Sequence, residues 1–256
     1  MSKIASLEPS VSLGVERAIG VLANTMRMHV EAHIRFGQLF DVDREEAITN
    51  LDRAFEAKLN AFHSLYDVSK HMLSYFDHGD TALLIAVRNA LHHHNNPLFH
   101  SLLSRLYLDD GLSRWAGASF LVASFPTRHG APLIMNYLIR LDDIQARLNP
   151  ARGSPHLDTF VKGSKAVDRF RVIARDLSLD EIVRKGISDN YPEDQVYVDI
   201  MPSFVSAVCR VFKALKAAGA VFKGDDAQTY VKPFTSEIDV DLVNPTFRTL
   251  TVGMKF

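Results

Sequence analysis

From Val11 to about Phe40, apolar residues return every three or four positions, at Val15, Ile19, Leu22, Met26, Val30 and Ile34, which is the period of one helix face. The spacing predicts a long first helix. A second stripe of Ile48, Leu51, Phe55, Leu59, Phe62, Tyr66, Leu73 and Phe76 follows Asp43 and Glu46, which have the spacing of a capping box. The short turn between the stripes predicts an antiparallel pair. Asp77-His78-Gly79-Asp80 breaks the pattern, and Asp80 or Thr81 can cap a third helix through Leu83, Leu84, Val87 and Leu91. A short helix from Leu98 to Leu108 then closes a four-helix unit.

Beyond position 108 the pattern predicts helices from Trp115 to Phe125 and from Pro132 to Leu148, with Asp142 and Asp143 on a solvated face. Residues 150–155, Pro-Ala-Arg-Gly-Ser-Pro, read as a linker. An amphipathic helix is predicted over Lys165 to Leu177, and Ser178 to Glu181 reads as a capping box for a short helix ending near Gly186. Pro202 either kinks one helix over Gln195 to Ala218 or begins a helix after a strand; a start at Pro202 suits the fixed φ of proline. Residues 237–243 and 247–252 alternate with period two around Asn244-Pro245, which predicts a terminal hairpin. The expected fold is therefore mainly α: an antiparallel helical bundle over residues 1–108, then a helical extension over 109–256 with a small C-terminal β-hairpin. The two segments are either separate domains or packed as one, with strands confined mainly to the tail.

Composition narrows the functional classes. The chain has 256 residues, 47% of them hydrophobic, ample for a core. Lys and Arg total 29 against 30 acidic residues, so any nucleic-acid contact must be local rather than a property of the whole surface. One cysteine, Cys209, lies in an apolar helical run, where it reads as a small buried hydrophobe. A single cysteine forms no intrachain disulfide, as suits a reducing cytoplasm. The first residues lack a charged start followed by an apolar block, and the apolar runs fall short of the ~20 residues of a membrane span, so a cytoplasmic protein with no membrane partner is expected.

The densest chemistry lies at the end of the third helix. Between Asp80 and Asp109 there is no carboxylate, while Arg88, His92, His93, His94, His100 and Arg105 all fall inside. The interval favours a local anion site. A simpler account is a helix stop, since cations favour the negative end of a helix dipole and Asn95-Asn96-Pro97 ends the helix. Elsewhere, His29 and His33 stand one turn apart without the acidic companion of a metal motif and read, with His63 and His71, as surface or groove-lining histidines. No metal and no cofactor are expected.

Arg88-Asn89-Ala90-Leu91-His92-His93 resembles the Arg-Asn-x-x-x-His signature of the HEPN family, helical domains often active as ribonucleases. Four residues separate Arg88 from His93 and five separate it from His94, within the family's spacing; three separate it from His92, which departs from it. The motif spans a handful of residues, and its helical context extends over roughly 11–108. On an ideal helix Arg88 and His93 diverge by about 140°, so joining them requires a loosened helix end or a second subunit. The resemblance implies the latter, a homodimer with two motifs facing one cleft.

RNA carries its own nucleophile, the 2′-hydroxyl. A metal-independent nuclease needs a proton-transfer group, for which imidazole is suited, and a fixed cation for the phosphorane, for which Arg is suited. The expected catalytic set is Arg88 as phosphate clamp, Asn89 as positioning residue and His93 as general acid or base. His92, His94, Asn95 and Arg105 are expected to contact RNA. The resemblance implies a 2′,3′-cyclic phosphate product. The expected function is a toxin-like or defence endoribonuclease, with an antitoxin or regulatory protein as a further partner. The alternatives are a non-catalytic HEPN-like module that binds RNA, nucleotide or a partner protein, and a metal-binding protein using His92, His93 and His94.

Overall fold

The computed structural model describes residues 9–92, 99–130, 132–159 and 161–253. Along the chain lie α1 (Pro9–Val42), α2 (Arg44–Ser69), α3 (Gly79–His92), α4 (Leu102–Tyr107) and α5 (Gly111–Arg114), then β1 (Ser119–Ser124), β2 (Thr127–His129), β3 (Leu138–Arg140) and α6 (Leu141–Leu148). After these come α7 (Ser164–Asp176), α8 (Leu179–Ser188), β4 (Val196–Asp199), α9 (Met201–Ala217), α10 (Asp225–Lys232), β5 (Asp239–Val240) and β6 (Thr246–Thr251). The chain is mainly helical, and no described helix is long and apolar enough to cross a membrane. It divides into two units, Met1–Tyr75 with Arg128–Ala131 and Val205–Asp239, and Phe76–Thr127 with Pro132–Phe204 and Val240–Phe256. Residues on both sides of position 108 fall in the second unit.

In the first unit, α1 and α2 form the antiparallel pair that their stripes predict. Val15, Ile19 and Leu22 on α1 and Ile48, Phe55 and Leu59 on α2 are fully buried. Asp43 alone separates the helices; it is extended, and its carboxylate accepts from the Glu46 backbone N–H at 2.9 Å, as the capping spacing predicts. The second helix ends at Ser69, earlier than its stripe, because the chain turns to bury Tyr75 edge-on to Phe62 and Tyr66. The Ser69 hydroxyl donates to the Leu65 carbonyl, so the Tyr75 hydroxyl donates to Ser69 Oγ at 2.7 Å. Cys209 is buried as expected.

His29 departs from its surface reading: it is 1% exposed and its Nδ1 lies 3.3 Å from the equally buried Lys58 Nζ. The ammonium donates, so Nδ1 is unprotonated, and the Nε2 proton has no partner among the described residues. Burial, with the charges of Lys58 and His33, depresses the His29 pKa to about 3.

The second unit holds a four-stranded mixed sheet in the order β3-β4-β1-β6. Strand β1 corrects the expectation of a helix from Trp115 to Phe125: Phe120 to Ala123 are buried on both faces, which produces a continuous apolar run with no alternation to betray a strand. It pairs parallel with β4 (Val122 opposite Tyr197) and antiparallel with β6 (Phe120 opposite Leu250). Residues 132–148 contain β3 followed by α6 rather than one helix. Strands are thus not confined to the tail, and the two tail strands take their ladder partners elsewhere: β6 on β1, β5 on β2. One side of the sheet packs Phe120, Val122 and Tyr197 against Trp115, Leu102 and Leu106.

At the end of β4 the buried Asp199 carboxylate accepts from Tyr137 N, Met201 N and Ser124 Oγ, each at 3.1 Å. One side chain therefore ties the ends of β1 and β4, the approach to β3 and the start of α9. Burial is the largest influence on its pKa and holds it above the usual carboxylate value despite those donors. Helix α9 begins at Met201 behind a strand, the second of the two arrangements that Pro202 allows. The capping box expected at Ser178 is absent: Ser178 has φ 47°, and its hydroxyl donates instead to Val243 O at 2.6 Å.

Two outcomes follow. His29 is neutral when folded, whereas the unfolded chain protonates near pH 6.5, so stability falls as the pH drops from 6.5 toward 3. Urea denaturation at pH 7 and pH 5 should show a loss about 2 kcal/mol larger in the wild type than in His29→Gln, which keeps an acceptor for Lys58 but does not titrate. Asp199→Ala, which strands three donors, should lower unfolding free energy by about 3 kcal/mol or more, with Asp199→Asn intermediate. A wild-type denaturation midpoint in the Ala protein would contradict the clamp.

Candidate functional site

Helix α3 is fixed at its first residue. Gly79 N–H donates to Asp176 Oδ2 of α7 at 2.7 Å, and a Cβ at Gly79 would lie 2.6 Å from Asp176 Cβ and 2.9 Å from Val172 O. The first N–H of the helix therefore meets its neighbour's carboxylate, while Asp80, inside the first turn, accepts from the Thr81 N–H at 2.8 Å. Ala82, Ile85, Ala86 and Asn89, at the i, i+3, i+4, i+7 positions of one face, look toward α7. Arg88 lies one residue off that face, in register with His92.

Arg88 and Asn89 are half-buried in the last turns of α3, and Arg88 Nη1 donates to Asn89 Oδ1 at 3.3 Å. These are the two predicted site residues that a hydrogen bond brings together. His93, His94 and Asn95 lie outside the described residues, as does the side chain of His92.

Phe99, the next described residue after His92, is buried and left-handed with φ 65°, a conformation uncommon for a residue with a bulky side chain. Its N–H donates to Asp143 Oδ2 at 3.3 Å. Asp143 is fully buried, contrary to the solvated face expected for Asp142 and Asp143, and its other oxygen accepts from Arg140 Nε at 2.9 Å and from Arg140 Nη2. Asp142 takes Arg152 at 2.6 Å. Burial works against the Arg140 cation, but Asp143, Asp142 and Tyr197 outweigh it and raise its pKa.

Arg105, expected to meet RNA, stands on α4 with its Nε buried and without a hydrogen-bond partner among the described residues. Its charge acts on Tyr197, whose phenol is pushed up to about 12 by burial and lies in the field of Arg105, Arg140 and Asp143. The structure thus gathers Arg105, Arg140, Asp143 and Tyr197 into a buried polar cluster beside Phe99.

Between α3 and α7 lies a cavity of about 550 Å³, within the range of small-molecule sites. The small Ala82, Ala86 and Ala166 leave the space, and Ile85, Phe170, Ile173 and Leu148 make its walls apolar. Asn89, Arg147, Asp158, Lys162 and Arg169 bring polar groups to it. The segment 150–155, expected as a linker, instead lies within the second unit, where Pro150, Ser154 and Pro155 line the cavity. Arg147 is 5% exposed, and its Nε has no hydrogen-bond partner among the described residues. Burial lowers its pKa, opposed by Asp158. Among the described residues no group of three His, Cys, Asp or Glu side chains could hold a metal ion. No protein-family model, curated protein or solved structure matches this chain.

Arg140, Arg147 and Tyr197 were not singled out from the sequence, and Asp143 was read only as part of a solvated face, because no short-range motif contains them. Asp143→Ala should cost about 3–5 kcal/mol of stability, the scale for breaking a buried ion pair, and should speed amide exchange at Phe99. Unchanged exchange there would show that Asp143 does not hold the segment.

Proposed function

We propose that this protein is a metal-independent endoribonuclease of the HEPN kind, toxin-like or defence-related, acting through Arg88, Asn89 and His93. The observation that carries the reading is the Arg88–Asn89 pair: a guanidinium held by a neutral amide at 3.3 Å at the end of a helix, inside the interval from residue 81 to 108 that contains no carboxylate. The neutral amide of Asn89 orients the guanidinium without adding negative charge of its own, and an oriented guanidinium suits a phosphate. Antiparallel packing of the first helices as part of a bundle, and a homodimer that brings two motifs to one cleft, belong to this reading.

In the reaction His93 takes the proton from the 2′-hydroxyl or gives one to the 5′-oxygen, and the imidazole of the second subunit's motif takes the other role. The 2′-oxygen attacks phosphorus as the bond to the 5′-oxygen breaks, leaving a 2′,3′-cyclic phosphate and a 5′-hydroxyl. Arg88 neutralises the equatorial oxygens of the phosphorane, and Asn89 holds Arg88 in place. His92, His94 and Asn95 supply contacts to flanking RNA.

Incubation of the protein with mixed RNA in EDTA should give cleavage, while DNA, which lacks the 2′-hydroxyl, should survive. Arg88→Ala and His93→Ala should each slow cleavage about 100-fold or more, with His92→Ala milder. Full activity in both the Arg88→Ala and His93→Ala proteins, with unchanged circular dichroism, would dismiss this locus and leave the helix stop as the account of the stretch.

A further inference from the structure

The cavity between α3 and α7 has a composition unlike that of an RNA groove. Its walls are aliphatic and aromatic, and its cations differ in depth: Lys162 is exposed, Arg169 is half-buried with its guanidinium 3.6 Å from the centre of the Phe76 ring, and Arg147 is buried. A buried guanidinium is stable only when its N–H groups meet acceptors. At Arg147 the Nε proton meets none among the described residues, and Asp158 supplies the compensating charge.

We infer that this cavity binds a small amphiphilic monoanion, with an apolar body against Ile85, Phe170 and Ile173 and a carboxylate on Arg147. Three cations against the single carboxylate of Asp158 leave the lining net positive, which selects for an anionic head. Asp158 also disfavours a doubly charged phosphate, since a second negative charge would be brought beside a carboxylate in a site of low polarity. The apolar walls give the rest of the ligand its affinity, about 25 cal/mol for each Å² removed from water. A flat sugar or a bare inorganic ion would leave those walls unfilled. The inference does not rest on the ribonuclease reading, because of the proposed catalytic set only Asn89 lines the cavity among the described residues.

The test is calorimetric titration of the full chain with decanoate, beside decanol, inorganic phosphate and AMP, with melting temperature as a second readout. Decanoate should bind saturably and raise the melting temperature, decanol should bind at least ten-fold more weakly, and phosphate should not bind. Arg147→Met should weaken decanoate at least ten-fold and leave decanol unchanged. Val167→Trp, at a cavity-lining position 42% exposed and so tolerant of a larger side chain, should abolish both and serves if the Met protein fails to fold. Absence of saturable decanoate binding to the wild type, equal decanoate affinity in the Arg147→Met or Val167→Trp protein, or binding of AMP in place of decanoate would each overturn the inference. RNA cleavage by Arg88→Ala is read separately, so the two proposals fail independently.

Discussion

The approach of α3 to α7 at Gly79 is the constraint on which the candidate chemistry depends. No residue with a Cβ fits there without moving the backbone of α7, and the Asp176 carboxylate replaces the cap that the first N–H of α3 lacks. With its origin fixed, the helix carries its periodicity outward. Ten residues on, Asn89 is on the face toward α7 and Arg88 is beside it. The alanines between keep the two helices from filling the space behind them. Cavity and motif are therefore two consequences of one close contact, and they share Asn89.

The helices were legible because their burial is one-sided. In α1, α2 and α7 the apolar positions recur with the helical period, and the Asp43 cap can be read before any packing is known. Strand β1 was not legible, since a strand buried on both faces has no period, and four apolar residues in a row match a helix segment as well. The tail strands were visible through alternation, but alternation says nothing of partners, and β6 lies against a strand more than one hundred residues earlier. Of the site, Arg88 and Asn89 could be named from local order. Asp143, Arg147 and Asp199 could not, because a buried charge is defined by what folds around it.

Polar groups inside each unit do the work of fixing position. Apolar packing tolerates small slides, whereas a buried carboxylate with two or three donors permits one arrangement. Asp199 joins four chain segments in this way, and Asp143 joins Arg140 to Phe99. In the first unit the neutral His29 accepts from Lys58 between α1 and α2, with both side chains against the Phe55 ring. Such pairs add little net stability over apolar packing, and they select register.

The order in which the units draw on the chain bears on biosynthesis. Each takes segments from early, middle and late sequence, so the first cannot be completed before residue 239 leaves the ribosome, nor the second before β6 near the end. The α1–α2 hairpin is the most extensive contact between elements adjacent in sequence among the described residues. It is the natural first structure of the nascent chain, and the sheet must wait, since β1 remains without its β6 partner through about half of synthesis. For that interval an apolar strand has an unpaired edge, open to pairing with another chain until β6 arrives.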